Sequence, residues 1–86
     1  MAKIKIYTTD SCPWCDRAKR IFEELRIEFE EINIRGSSAM RKELEVLTGR
    51  RDVPQIFINN QHIGDDDDLV ELVQSGQLEE RFQTKG

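Results

Sequence analysis

The chain has 86 residues, a formal net charge of −4, 35% charged and 37% hydrophobic residues, which suits one small domain over residues 1–86 with one modest core. Mixed-sign charge with a negative balance argues against nonspecific nucleic-acid binding, and no window approaches the length of a membrane span. Met1-Ala2-Lys3-Ile4-Lys5 lacks the apolar run of a signal peptide, and two cysteines three apart are too few to staple a secreted scaffold, so a reducing, cytoplasmic setting is expected.

Residues 3–8 alternate as a first strand, and Ala18, Ile21, Phe22 and Leu25 recur at helical spacing across a helix over 13–26. Residues 29–34 read as a second strand. Gly36-Ser37-Ser38 supplies a turn and a cap, and Met40, Leu44 and Leu47 mark the buried face of a second helix stopped by Gly49. Gln55-Ile56-Phe57-Ile58 is the most apolar strand, Asn59-Asn60 a turn, and Gln61-His62-Ile63 a short strand. The Asp65–Asp68 run leads into a third helix carrying Leu69, Leu72 and Val73, ended by Gly76. Leu78 and Phe82 suggest a short closing helix, and Thr84 to Gly86 a frayed tail. The order β-α-β-α-β-β-α predicts a parallel first pair, an antiparallel last pair and helices on both faces of a four-stranded mixed sheet.

Both cysteines lie in Ser11-Cys12-Pro13-Trp14-Cys15, where the first strand gives way to the first helix. Cys12 falls at the helix mouth, Pro13 takes the first helical position where its missing N–H is harmless, and Cys15 shares a face with Cys12 one turn on. A free thiol with pKa ~8.5 is only about 3% ionised at neutral pH, and the thiolate is the nucleophile. Orphan N–H groups and the positive end of the helix dipole favour the anion, and pairs of this spacing titrate at roughly 3.5–7.5. Cys12, nearest those groups, is the expected nucleophile, and Cys15 the buried resolving thiol.

Four stretches resemble the glutaredoxin family across nearly the whole chain: Tyr7-Thr8 leading to Cys12-Pro13-Trp14-Cys15; Thr48-Gly49-Arg50-Arg51; Asp52-Val53-Pro54-Gln55-Ile56-Phe57-Ile58; and Gln61-His62-Ile63-Gly64 followed by acidic residues and Leu69. The resemblance implies a thioredoxin fold and glutathione-dependent reduction of protein disulfides and protein–glutathione mixed disulfides. It implies a cis Val53–Pro54 bond facing the thiols, glutathione as co-substrate with no bound cofactor, and a monomer. By the same resemblance Trp14 is the aromatic residue beside the nucleophile, and the Val53 backbone pairs with the cysteinyl part of glutathione. Arg41 and Arg51 then serve the glycyl carboxylate. Asp66 and Asp67 lie where helix N–H groups receive the γ-glutamyl carboxylate. Three positions depart from the family pattern: Thr9 for Lys, Asp52 for Thr, and Asp65 for Gly. Asp52 beside the thiolate would raise its pKa, which implies weaker glutathione binding or a preference for cationic protein partners.

Other readings of the same residues are a reductant fed by thioredoxin reductase and an iron–sulfur carrier with glutathione thiolates as extra ligands. Pro13 counts against the carrier. His62, the only histidine, reads as a surface strand residue, Asp65–Asp68 as a helix cap with solvated charges, and Arg50 as a loop residue.

Overall fold

The structure, a computed structural model, describes residues 3–83, with side chains described through residue 80. The tail Thr84–Gly86, expected to be frayed, and the side chain of Phe82, expected in the short closing helix, lie outside the described residues. Strands β1 (Ile4–Thr8), β2 (Glu30–Asn33), β3 (Gln55–Ile58) and β4 (Gln61–Gly64) form one sheet in the order β2-β1-β3-β4. β1 runs parallel to β2 and antiparallel to β3, and β3 antiparallel to β4, as the connections predict. Asn59 and Asn60, with φ of 52° and 67°, make the two-residue hairpin turn whose twist matches the strands it joins.

The β1–β3 register sets Ile4 opposite Ile58 and Ile6 opposite Ile56, which gathers four aliphatic side chains on one face. Ala18 and Phe22 of α1 (Pro13–Glu24) and Leu69 and Leu72 of α3 (Asp66–Gln74) cover that patch, joined by Leu78 of α4 (Leu78–Gln83). Each Ile, Leu or Phe side chain among them taken from water contributes ~1.5–3 kcal/mol. On the other face Tyr7 and Phe57 meet edge-on at 5.6 Å. Burial raises the Tyr7 phenol above its ordinary pKa, helped by Glu43 of α2 (Ser38–Thr48). Among the described residues no helix is long and apolar enough to cross a membrane.

Ser37 caps α2 by accepting the Met40 N–H at 3.1 Å, and Gly49 closes it with φ of 73°. Within α2 only Leu44 is fully buried; Met40 is half-buried, and Leu47, expected inside, is 54% exposed. Leu25, also read as inward-facing, is exposed at the end of α1. Apolar spacing says which residues share a side of a helix, not how much of that side the sheet covers.

Helix α1 ends at Glu24, two residues before the expected boundary. The Arg26 N–H bonds to the Glu23 carbonyl and the Ile27 N–H to the Phe22 carbonyl, the paired bonds of a Schellman motif, with Arg26 at φ 59° where glycine is usual. Helix α3 ends in the same way: Gly76 N–H to Val73, Gln77 N–H to Leu72, with Gly76 at φ 75°. The motif is equal and the residue differs, so one molecule contains both halves of a comparison. Arg26→Gly should raise unfolding free energy by ~0.5–1 kcal/mol in urea titration, and Gly76→Ala should lower it by a similar amount. Unchanged midpoints for both would refute the backbone argument.

Candidate active site

Three elements converge where β1 ends. Thr8, fully buried, donates its hydroxyl to Glu31 at 2.7 Å, and Glu31 also takes Lys19 of α1 at 3.1 Å. The Thr8 bond, with Lys19 behind it, holds the Glu31 carboxyl below its usual pKa. The following turn is tied back to the end of β2: Asn33 donates to Asp10 at 2.8 Å and Arg35 pairs with the same carboxylate. Ser11 then adopts φ 53°, a left-handed conformation that swings the chain from strand to helix.

Cys12 is the N-cap of α1, with Pro13 in the first turn as expected. The Cys12 Sγ accepts the Cys15 backbone N–H at 3.1 Å, so a group that would otherwise lack a partner meets the sulfur. Cys12 and Cys15 are joined by a disulfide with Cα atoms 5.2 Å apart. Cys12 is half-buried, whereas Cys15 is 1% exposed. An incoming thiolate therefore meets Cys12.

The Val53–Pro54 peptide bond is cis, as the resemblance implies. It brings the Val53 carbonyl to 4.0 Å from the Cys12 Sγ, across 41 residues of sequence. Trp14, 59% exposed, shares a hollow of about 280 Å³ with Asp52, Val53, Asp65, Asp66 and Asp67. Pro54, the next residue after Val53, is buried. Five of the expected site residues, Trp14, Asp52, Val53, Asp66 and Asp67, thus line one hollow. Arg41 and Arg51 line a different hollow of about 460 Å³, with Ser38, Lys42 and Glu45, and Arg51 donates to Glu45 at 2.6 Å.

The charge reading needs correction. Arg50, set aside as a loop residue, donates two hydrogen bonds to Asp52 at 3.1 and 2.7 Å and one to Asp65 at 2.8 Å, and lies 3.6 Å from Asp68. The two carboxylates that depart from the family pattern therefore share one cation. Their field at Cys12 is that of an ion cluster rather than of two free anions. Nor are Asp65–Asp68 merely solvated charges. The expected helix cap is present, a reciprocal capping box between Asp65 and Asp68 at the start of α3, but Asp66 is only 5% exposed. Arg17 on α1 bridges Asp66 at 3.0 Å and Asp67 at 3.1 Å. Sequence reasoning passed over Arg17. Its signal is its place two residues past Cys15, on a helix that packs against an acidic helix start.

Comparison with known proteins agrees with this geometry. The family model described as Glutaredoxin matches residues 4–63. Glutaredoxin 3 of Escherichia coli (strain K12) is 46% identical over 79 residues, covering 92% of this chain and 95% of its own. The solution structure of glutaredoxin from Brucella melitensis superposes with a TM-score of 0.87 at 37% identity, over 100% of this chain and 94% of that one. The crystal structure of a buckwheat glutaredoxin–glutathione complex gives 0.85 at 29% identity, over 92% of this chain and 74% of that one.

Asp65 yields a pH prediction. Burial alone would raise its pKa, but the Arg50 hydrogen bond and the Asp68 backbone N–H outweigh it and hold the carboxyl below the ordinary aspartate value. A depressed folded-state pKa means that the unfolded chain takes up the proton first as pH falls. The stabilisation is present above the ordinary value of about 3.9 and is lost toward the folded-state value. Stability measured in urea should therefore drop below about pH 4, and Asp65→Asn should flatten that drop. An equal acid slope in wild type and variant would refute it.

Proposed function

The chain belongs to the glutaredoxin family, and from that premise we propose how its residues divide the work. It is a glutathione-dependent thiol–disulfide oxidoreductase acting through Cys12 and Cys15. The observation that supports the division is the half-buried Cys12 Sγ, held between the Cys15 N–H at 3.1 Å and the Val53 carbonyl at 4.0 Å.

In the reduced protein the Cys12 thiolate attacks one sulfur of a substrate disulfide. A Cys12–sulfur bond forms as the substrate bond breaks, and the departing thiolate takes a proton from solvent. Cys15, once deprotonated, attacks the Cys12 sulfur, expels the second substrate thiol and leaves the intramolecular disulfide seen in this structure. One glutathione thiolate reopens that bond, placing glutathione on Cys12 and freeing Cys15. A second removes it as glutathione disulfide and restores the Cys12 thiolate. On a glutathionylated protein Cys12 takes the glutathionyl sulfur directly, and the second glutathione completes the cycle without Cys15.

Glutathione, the co-substrate, fits the hollow beside Trp14 with its cysteinyl backbone against Val53 above Pro54. The capping box uses the Asp65 and Asp68 N–H groups, so those of Asp66 and Asp67 serve the γ-glutamyl carboxylate. Arg17 pairs with both carboxylates, but the Asp66 side chain is only 7% exposed and that of Asp67 is 81% exposed, which makes Asp67 the better partner for the α-amino group. Asp52, gripped by Arg50, shapes the wall. Arg41 and Arg51 draw the glycyl carboxylate toward the hollow that they line. The chain acts as a single-domain monomer in the cytoplasm, without a resident cofactor, on disulfide-bearing or glutathionylated proteins.

Glutathione-coupled reduction of a small glutathione mixed disulfide tests this division. Cys12→Ser should fall to the rate of glutathione alone, Cys15→Ser should keep substantial activity, and Asp67→Ala should raise the KM. Activity in the first variant or none in the second would overturn the assignment.

A further inference from the structure

Gln55, one residue past the cis-proline, is completely buried although its side chain is polar. It lies opposite Tyr7 in the β1–β3 register, on the sheet face away from α1 and α3. Its Nε2 donates to the Asp52 backbone carbonyl at 2.9 Å and approaches the Asp52 Oδ1 at 3.4 Å. Both are acceptors, so the amide must turn its NH₂ toward them, and its Oε1 is left facing the His62 Nε2 at 2.6 Å. An amide oxygen has no hydrogen to give. His62 must therefore donate, which fixes the ring as the Nε2–H tautomer when neutral. The imidazolium keeps the same donor, so gaining a proton on Nδ1 leaves the chain of bonds intact. The ring lies 5.2 Å from the Phe57 ring, which braces it.

Followed toward the sulfur, the chain runs His62, Gln55, Asp52 backbone, then Val53, whose carbonyl lies 4.0 Å from the Cys12 Sγ. Arg50 holds the Asp52 side chain from the other direction. Asp52 is thus fixed through both backbone and carboxylate, immediately before the residue on which glutathione pairing rests.

We propose that Gln55 and His62 are positioning residues for this oxidoreductase, locking the Asp52–Val53 backbone at the distance from Cys12 that binding of the glutathionyl substrate requires. Neither touches the reacting sulfurs; they act through Val53. The inference rests on Val53 as the glutathione-pairing residue. Losing the His62 donor leaves the Gln55 oxygen buried without its partner and frees the amide to turn away from Asp52. The effect falls on substrate binding and spares the chemical step.

The test uses the mixed disulfide of glutathione and 2-mercaptoethanol, with glutathione as reductant. His62→Phe, which keeps a ring beside Phe57 but has no donor, should raise the KM about five-fold, the scale of one lost hydrogen bond, with kcat within about two-fold. His62→Gln, whose amide N–H can stand where the Nε2–H stood, should restore the KM. An unchanged KM in His62→Phe, or no restoration by His62→Gln, overturns the proposal. Nitrogen-15 spectra of the single histidine supply a test that needs no variant. The ring should carry its proton on Nε2 with Nδ1 bare above its pKa, and the opposite tautomer refutes the network. Failure of wild type to reduce this substrate would instead count against the functional reading, and the spectrum would still decide the hydrogen-bond chain.

Discussion

The structure depends on two stretches of backbone, 41 residues apart, arriving at one sulfur. The start of α1 offers the Cys15 N–H to the Cys12 Sγ at 3.1 Å, and the cis Val53–Pro54 turn brings a carbonyl to 4.0 Å. The first contact favours negative charge on that sulfur, because an N–H at a helix start has no carbonyl of its own. The second sets the Val53 backbone beside it, the stretch on which the proposed pairing with glutathione rests. The antiparallel pairing of β1 with β3 is what brings the two stretches together.

Charge around this meeting point is organised in clusters. Arg50 gathers Asp52, Asp65 and Asp68, and Arg17 gathers Asp66 and Asp67. Arg50 joins the loop before the cis-proline to the cap of α3, while Arg17 joins α1 to the first turn of α3. These are the parts that line the hollow beside Trp14. Exposed ion pairs contribute little individually. Networks that bridge three elements fix relative placement, and placement is what a site assembled from separate loops needs.

Much of this was legible from local pattern. The alternation in Ile4–Thr8, the proline after Cys12, the Gly49 stop and the Asn59-Asn60 turn each express a backbone preference within a few residues, and each holds. The cis bond followed from family resemblance, because nothing in Val53-Pro54 alone demands it. The α1 terminus escaped because Arg26 occupies a position that glycine normally marks. Leu47 escaped because helical spacing does not reveal where a covering sheet ends. The Arg17–Asp66 pair spans 49 residues and the Arg50–Asp65 pair 15. The His62–Gln55 bond depends on cross-strand register. Such partners are chosen by the assembled fold, so no window of sequence displays them.

Trp14 is the only tryptophan of the chain, stands two residues from Cys12 and leaves more than half its surface to solvent. An excited indole passes an electron readily to a nearby sulfur–sulfur bond and loses its emission, whereas a pair of separated thiols accepts far less. The molecule should therefore carry its own optical gauge, its intrinsic light dimming and brightening as the bond closes and opens, with no dye attached.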